Sequence, residues 1–157
     1  MSKGFGCLRL MIVATFILFC DQLSKLAVIH FLLRGGCCRV FPFFNIVRVE
    51  NRGITFGIFN SEATNEWVLI LISLAIVILL IMWVKNETDY QFPASIVAAG
   101  AIGNVLDRII HGAVIDFFDF YIGEYHWPAF NVADGAIVVA VSAMVYISFR
   151  SRKLQKL

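Results

Sequence analysis

Charged residues are scarce in this 157-residue sequence: they make up 15% of it, whereas an ordinary soluble domain has roughly 25%. Hydrophobic residues make up 60%. This composition argues against an ordinary water-soluble fold and predicts helices buried in a lipid bilayer. The formal net charge is only +2, so the sequence predicts neither nucleic-acid binding nor a strongly acidic partner.

The sequence also lacks any cysteine spacing that is typical of a metal site or a disulfide framework. Cys7 and Cys20 lie near or within the first apolar segment, where a small hydrophobic side chain is the simplest interpretation. Cys37 and Cys38 are adjacent in a predicted loop, and the sequence assigns them no role. We therefore expect neither a metal ion nor a cofactor.

Four segments are long and apolar enough to be transmembrane helices. The clearest has no charged residue between Glu66 and Lys85, and Trp67 and Trp83 mark its ends as interfacial aromatic residues do. Another is rich in alanine and glycine, which favours close helix packing, and we place its start at Pro93. The sequence predicts one membrane domain over residues 1–157, with spans at about 8–33, 67–84, 93–110 and 132–149 and outer loops at about 34–66 and 111–131.

The start of the sequence imitates a secretory signal peptide, because Lys3 and Arg9 precede an apolar run that ends at Cys20. No small-residue cleavage site follows, and apolar residues resume from Leu26 to Leu33. We therefore expect this segment to be retained as a transmembrane helix.

Basic residues near the two ends of the chain predict its orientation. Four spans place both ends on the same side, and the positive-inside rule makes that side cytoplasmic. Four arginines in the first outer loop oppose this assignment, although Glu50 and Glu62 partly offset them. The six basic residues of the ends are Lys3, Arg9, Arg150, Arg152, Lys153 and Lys156.

The first outer loop is too long to be a simple connection. Residues 43–49 combine aromatic and β-branched side chains in partial alternation, and residues 54–58 have the composition to pair with them. The sequence therefore predicts a small sheet resting on the outer face of the membrane.

Asp116 and Asp134 are the most informative polar residues, because each lies beside a predicted span, where an ionisable group is costly unless it has a function. Two carboxyl groups that meet there can share one proton and activate a water molecule, as in an aspartic peptidase. Asp134 begins the fourth helix, where the helix dipole favours an anion and Asn131 is available as N-cap. Asp116 is therefore the expected proton carrier. We expect Asp119 to have a structural role only.

Further polar residues lie within the predicted spans. Asp21 and Lys25 are four residues apart and can form an ion pair, either for helix packing or as support for the site. Asp21 is placed near the middle of its span, and Lys25 is expected to reach outward. Asn104, Asp107 and Arg108 share one helix face, where Asp107 can neutralise Arg108 or leave it free to hold substrate carbonyls.

Five ordered blocks of polar, glycine and aromatic residues extend over nearly the whole chain. They are Asp21-Gln22-x-Ser24-Lys25, Asn51-x-Gly53-x-x-Phe56-Gly57, Gly100-x-x-Gly103-Asn104-x-x-Asp107-Arg108, Gly112-x-Val114-x-Asp116-Phe117-x-Asp119-Phe120 and Trp127-Pro128-x-Phe130-Asn131-x-Ala133-Asp134. Together these blocks resemble the lipoprotein signal peptidases, bacterial inner-membrane enzymes also called signal peptidase II. Thr55 and Gly135 depart from the common residues of that family, but neither is a presumed catalytic group.

The resemblance implies an all-α integral membrane protein, a four-transmembrane-helix bundle with a small extracytoplasmic β-cradle and a short surface helix. It implies an endopeptidase that cleaves diacylglyceryl-modified prolipoproteins before the lipidated Cys, near the outer face of the bacterial inner membrane. The implied partners are that substrate, membrane lipid and the inhibitory cyclic peptide globomycin, and we expect a monomer. The catalytic role carries over to Asp116 and Asp134, and substrate-site roles to Asn51, Gly53, Asn104, Arg108, Asn131, Asp21 and Lys25.

Two other functions fit parts of the sequence. A Ser–Lys peptidase would use Ser24 and Lys25, but adjacent helical residues point about 100° apart and do not form a local dyad. A small proton-coupled transporter or channel subunit would place its acid near the membrane midplane, a pattern that Asp21 alone fits.

Overall fold

Four long α-helices and a four-stranded antiparallel sheet make up the described part of this computed structural model, residues 3–53 and 66–154. The helices are α1 (Lys3–Phe31), α2 (Glu66–Val84), α3 (Thr88–His111) and α4 (Val132–Leu154). The strands are β1 (Cys37–Phe41), β2 (Phe44–Asn51), β3 (Val114–Ile122) and β4 (Tyr125–His126), which lie in that order across the sheet.

All four helices are long and apolar enough to cross a membrane. Large apolar side chains on each of them remain exposed, among them Met11, Leu79, Ile110 and Val139. Such helices are stable where their outer surfaces contact lipid instead of water. The chain is therefore a multi-pass membrane protein.

Helix α3 is the centre of the bundle, because it contacts α1, α2 and α4. Glycine makes these contacts close. A Cβ atom on Gly100 would lie 2.8 Å from the carbonyl oxygen of Ala133 on α4, and one on Gly103 would lie 2.7 Å from Asp21 Oδ2 on α1. The prediction that small residues of this helix serve close packing is thus confirmed.

The predicted start of α3 at Pro93 is wrong, because the helix begins at Thr88 and contains Pro93. Proline lacks one backbone N–H and so removes one helical hydrogen bond without ending the helix. Asp89 lies in the first turn, where the helix dipole favours a carboxylate. The helix ends at Gly112, whose φ of 68° suits glycine and whose N–H donates to the carbonyl of Arg108.

The sheet confirms the strand predicted at residues 43–49, and the described residues contain three further strands that the sequence did not predict. Strand β2 covers most of residues 43–49, and it pairs with β1 on one side and β3 on the other. The sequence predicts a loop at about 111–131, where the structure has β3 and β4. The predicted pairing of residues 54–58 falls outside the described residues, and no short surface helix occurs within residues 32–53 or 112–131.

The C-terminal end of α1 extends beyond the start of α4 and packs against the sheet. Val28 on α1 forms a buried cluster with Ile115 and Phe117 of β3. Asp21, seven residues earlier, accepts a hydrogen bond from the backbone N–H of Ala133 in the first turn of α4. Asp21 therefore lies level with the start of α4, while within its own candidate span, Gly6–Phe31, it lies close to the middle.

Two arginines and one glutamate between α1 and α2 have partners within the protein. Arg48 donates to the carbonyls of Ile29 and Leu32, at the C-terminal end of α1, where a cation is favoured. Glu50 accepts from both Arg34 and Arg48, at 2.8 and 3.1 Å.

Gly100→Ala should destabilise the fold by about 1–3 kcal/mol, because the added methyl group meets the backbone of α4. Thermal unfolding in detergent measures the effect. Gly6→Ala is the matched control, since Gly6 also lies in a helix but has nothing within 4 Å of the added atom. Equal midpoints for the two variants would contradict the close packing of α3 on α4.

Candidate active site

Asp116 lies on β3 and is held by two amide groups. Its Oδ2 accepts from Asn51 Nδ2 at 2.9 Å, across from the end of β2, and its Oδ1 accepts from Asn131 Nδ2 at 2.7 Å. Only 3% of the residue is exposed. Both oxygens of this carboxyl group therefore face donors, and its position is set by two different segments of the chain.

Asp134 lies in the first turn of α4 and is held by a reciprocal cap. Asn131 Oδ1 accepts from the backbone N–H of Asp134 at 2.9 Å, while Asp134 Oδ2 accepts from the backbone N–H of Asn131 at 3.3 Å. This is the arrangement of a capping box, with aspartate as its acid. The prediction that Asn131 is the N-cap is confirmed. The other oxygen, Asp134 Oδ1, accepts from Asn104 Nδ2 at 2.8 Å.

Asn131 joins the two acids, because its side chain donates to Asp116 and its amide oxygen caps the helix that carries Asp134. Its Nδ2 also contacts Asn104 Oδ1 at 3.2 Å. Asn51, Asn104 and Asn131 thus form an amide network around both carboxyl groups. The structure brings together five of the predicted site residues: Asn51, Asn104, Asp116, Asn131 and Asp134.

Burial, and after it the nearby charge of Asp134, raise the pKa of Asp116 to about 7. The hydrogen bonds from Asn51 and Asn131 favour the ionised form and lower the pKa, but they do not outweigh the loss of hydration. A carboxyl group with a pKa near neutrality can hold a proton at working pH, which suits a group that must donate one.

Lys25 and Asp21 lie behind this network and are almost fully buried, with 2% and 0% of each residue exposed. Lys25 Nζ lies 2.8 Å from Asp21 Oδ2 and 2.8 Å from Asp107 Oδ2, and it donates to Asn104 Oδ1 at 2.9 Å. The ion pair is thus as predicted. The expectation that Lys25 reaches outward is wrong, because its partners on α3 hold it inside the bundle.

Arg108 does not pair with Asp107, contrary to one of the two interpretations of that helix face. Its guanidinium donates to the carbonyl of Asn104 at 3.3 Å and, across the site, to the carbonyl of Gly53 at 3.4 Å. The N–H of Gly53 donates to Asn51 Oδ1 at 3.0 Å. Arg108 therefore holds the segment that carries Asn51, and its Nε is buried without a partner in the described residues.

Asp119 points away from the site, because residues three apart on a strand lie on opposite faces. It accepts from Asn45 Nδ2 at 2.8 Å and contacts His126 Nδ1 at 2.8 Å. These contacts join β2, β3 and β4. The expected structural pairing of Asp119 is confirmed.

Sequence reasoning missed the contribution of Gln22 and the partnership of Asp107 with Lys25. Gln22 Nε2 donates to Asp107 Oδ1 at 2.9 Å, and Asp107 Oδ2 accepts from the backbone N–H of Ile115 at 3.1 Å. No local spacing rule connects these residues, because their contacts depend on how α1 rotates against α3. Within residues 3–53 and 66–154, no group of three His, Cys, Asp or Glu side chains is arranged to hold a metal ion.

The chain is similar to proteins of one family. A family model described as signal peptidase (SPase) II matches residues 13–150. A lipoprotein signal peptidase of Thermodesulfovibrio yellowstonii is 42% identical over 130 residues, which are 83% of this chain and 87% of the relative. A lipoprotein signal peptidase of Paraburkholderia phymatum is 37% identical over 142 residues, 88% and 86% of the two chains.

Solved structures share the fold. A bacterial membrane enzyme, determined by the in meso method at 2.3 Å resolution, superposes with a TM-score of 0.81 at 28% identity, over 92% of this chain and 89% of the other. A second, at 1.9 Å resolution, gives a TM-score of 0.77 at 28% identity, over 88% and 91%.

The raised pKa of Asp116 predicts that stability falls as the pH rises from about 4 to about 7. In this window the folded protein keeps a proton that the unfolded chain has lost, since the ordinary pKa is 3.8 and the folded value is about 7. Each pH unit then costs up to about 1.4 kcal/mol. Unfolding midpoints in detergent should fall more steeply for the unmodified protein than for Asp116→Asn, and parallel curves would contradict the assignment.

Proposed function

The chain belongs to the signal peptidase II family, and we propose that Asp116 and Asp134 are the catalytic pair of a membrane endopeptidase. The protein is a lipoprotein signal peptidase of the aspartic type. The observation that carries the residue assignment is the pair of carboxyl groups joined through Asn131. We propose that the enzyme removes the signal peptide from diacylglyceryl-modified prolipoproteins, before the lipidated Cys.

The reaction follows from one proton shared between two acids. The carboxylate of Asp134 accepts a proton from a water molecule, whose oxygen attacks the scissile carbonyl carbon. Asp116 donates its proton to the carbonyl oxygen, and a tetrahedral diol forms. Asp134 then returns its proton to the leaving nitrogen as the C–N bond breaks, and Asp116 recovers a proton from a hydroxyl group of the diol.

The assignment of the two roles is supported by the surroundings of each acid. Asp134 lies at a helix N-terminus and accepts from Asn104 and from the backbone of Asn131, and all three features favour the anion. Asp116 is more deeply buried, and burial raises its pKa. Because the two groups interact, any measured titration belongs to the pair.

The surroundings of the site are consistent with a substrate that arrives from lipid. Asp134 is half-buried on a helix whose neighbouring surface is apolar and exposed, as at Val138 and Val139. A diacylated substrate with a membrane-spanning signal segment would approach along such a surface. We propose that both chain ends are cytoplasmic, that the dyad lies near the outer face, that the enzyme acts as a monomer, and that globomycin-type cyclic peptides bind at the dyad.

The transporter alternative loses its main support. Asp21 was the acid that fitted it, and Asp21 is bound to Lys25 and to the N–H of Ala133. A buried carboxylate with these partners serves as a structural anion.

A cleavage assay tests the function and the lipid requirement together. The purified protein in detergent is incubated with a diacylglyceryl-modified precursor and with the same precursor unmodified, and products are separated by gel shift. We expect cleavage of the lipidated precursor alone. Equal cleavage of both would contradict the proposed substrate class, whereas loss of cleavage in dyad variants addresses the catalytic residues separately.

Asp116→Asn and Asp134→Asn should each reduce kcat by about 10²–10⁴-fold, because a neutral amide neither donates nor accepts the transferred proton. Both variants should still insert and unfold cooperatively. Substantial cleavage by either variant would place the chemistry elsewhere in the molecule.

Arg108→Ala should reduce activity more than Asp119→Ala. The arginine holds the Gly53 carbonyl and thereby the segment that positions Asn51 against Asp116, whereas Asp119 contacts only the far face of the sheet. Arg108→Lys should restore little, since an ammonium group does not reproduce a forked contact with two carbonyls. A larger loss in Asp119→Ala, measured as kcat/KM, would reverse this assignment.

A further inference from the structure

The ammonium group of Lys25 has three N–H donors, and each has one acceptor. The acceptors are Asp21 Oδ2 at 2.8 Å, Asp107 Oδ2 at 2.8 Å and Asn104 Oδ1 at 2.9 Å. An ammonium group accepts no hydrogen bond. Whatever atom of Asn104 faces Lys25 must therefore be the amide oxygen.

This orientation determines which atom of the Asn104 amide faces Asp134. With its oxygen facing Lys25, Asn104 presents its NH₂ group to Asp134, and Nδ2 lies 2.8 Å from Asp134 Oδ1. The reverse orientation would set NH₂ against an ammonium group and an oxygen against a carboxylate. Both contacts would be repulsive, and they would be costly because Lys25 is almost fully buried.

The direction of donation continues through the rest of the network. Asn131 Nδ2 donates to Asn104 Oδ1 at 3.2 Å and to Asp116 Oδ1 at 2.7 Å, so its own oxygen is left to accept the N–H of Asp134. Both carboxyl groups thus receive donors from amides whose orientation agrees with the one that Lys25 imposes on Asn104.

We propose that Lys25 is a positioning residue that orients the Asn104 amide and so keeps Asp134 in the ionised form that accepts a proton from water. It acts through Asn104, because only 2% of Lys25 is exposed and it has no access to a substrate. This inference rests on the proposed function of the dyad. It replaces the direct substrate-site role that the family resemblance implied for Lys25.

The experiment must separate the orientation of Asn104 by Lys25 from two other effects of the Lys25 charge. Lys25 also neutralises Asp21 and Asp107, and its charge acts on the dyad through space. Lys25→Met combined with Asp107→Asn removes the donor while it keeps the formal charge of the cluster unchanged. The charged groups that face Asp134 are Asp116 on β3, Asp21 and Lys25 on α1, and Arg108 on α3, and this double substitution alters only Lys25 among them.

The measurement is the pH profile of kcat/KM for the lipidated precursor, with unfolding midpoints in parallel. In Lys25→Met/Asp107→Asn the acidic limb should move upward by about one pH unit, and kcat should fall about tenfold, as expected for loss of one hydrogen bond to a charged group. Asp107→Asn alone should lower the unfolding midpoint. It should leave the acidic limb of the pH profile in place, because Lys25 still donates to Asn104.

A double-mutant cycle gives the decisive comparison. Asn104→Ala should shift the acidic limb by itself, and Lys25→Met/Asp107→Asn in that background should shift it no further. Additive shifts, or an unchanged limb in Lys25→Met/Asp107→Asn, would overturn the proposal and leave Lys25 with a purely structural role. Failure of the dyad itself would look different, because Asp134→Asn would then retain cleavage.

Discussion

A charge buried in a lipid-embedded bundle must be compensated inside the protein, because neither lipid nor excluded water can do so. Lys25 meets this requirement by bonding Asp21 on its own helix and Asp107 on α3. Asp21 in turn accepts the backbone N–H of Ala133 at the start of α4. One compensated cation therefore joins three helices at the level of the two acids, and the positions of the surrounding polar groups follow from it.

Asn131 shows how one side chain can serve the local fold and the site together. Its oxygen caps α4 and so stabilises the turn that carries Asp134, while its NH₂ group reaches Asp116 on a strand fifteen residues earlier. A capping interaction contributes about 1 kcal/mol to a helix. Here the same interaction fixes the relative positions of two carboxyl groups, so the stability of the helix start and the geometry of the pair depend on one residue.

The two acids of β3 differ in environment although they are three residues apart. The strand turns Asp116 towards α4 and Asp119 towards His126 and Asn45, since successive side chains alternate between the faces of a sheet. Period-two alternation was the signal that identified β2 in the sequence. In β3 it is obscured, because buried apolar residues occupy both faces from Val114 to Phe117, and the strand was therefore predicted as a loop.

Composition and local pattern determined much of this protein. Apolar runs of sufficient length identified four helices, and Asn131 identified the start of the last one. The costly placement of Asp116 and Asp134 led to the proposed catalytic pair. Tertiary structure alone decided which groups meet. Lys25 pairs with Asp107 inside the bundle, and Arg108 donates to the carbonyl of Gly53. Both contacts depend on how α1, α3 and the sheet are rotated and shifted against each other. Sequence periodicity defines the faces of a single helix, but it does not show which face of one helix contacts which face of another. That pairing depends on packing, where small residues such as Gly103 allow two helices to approach closely.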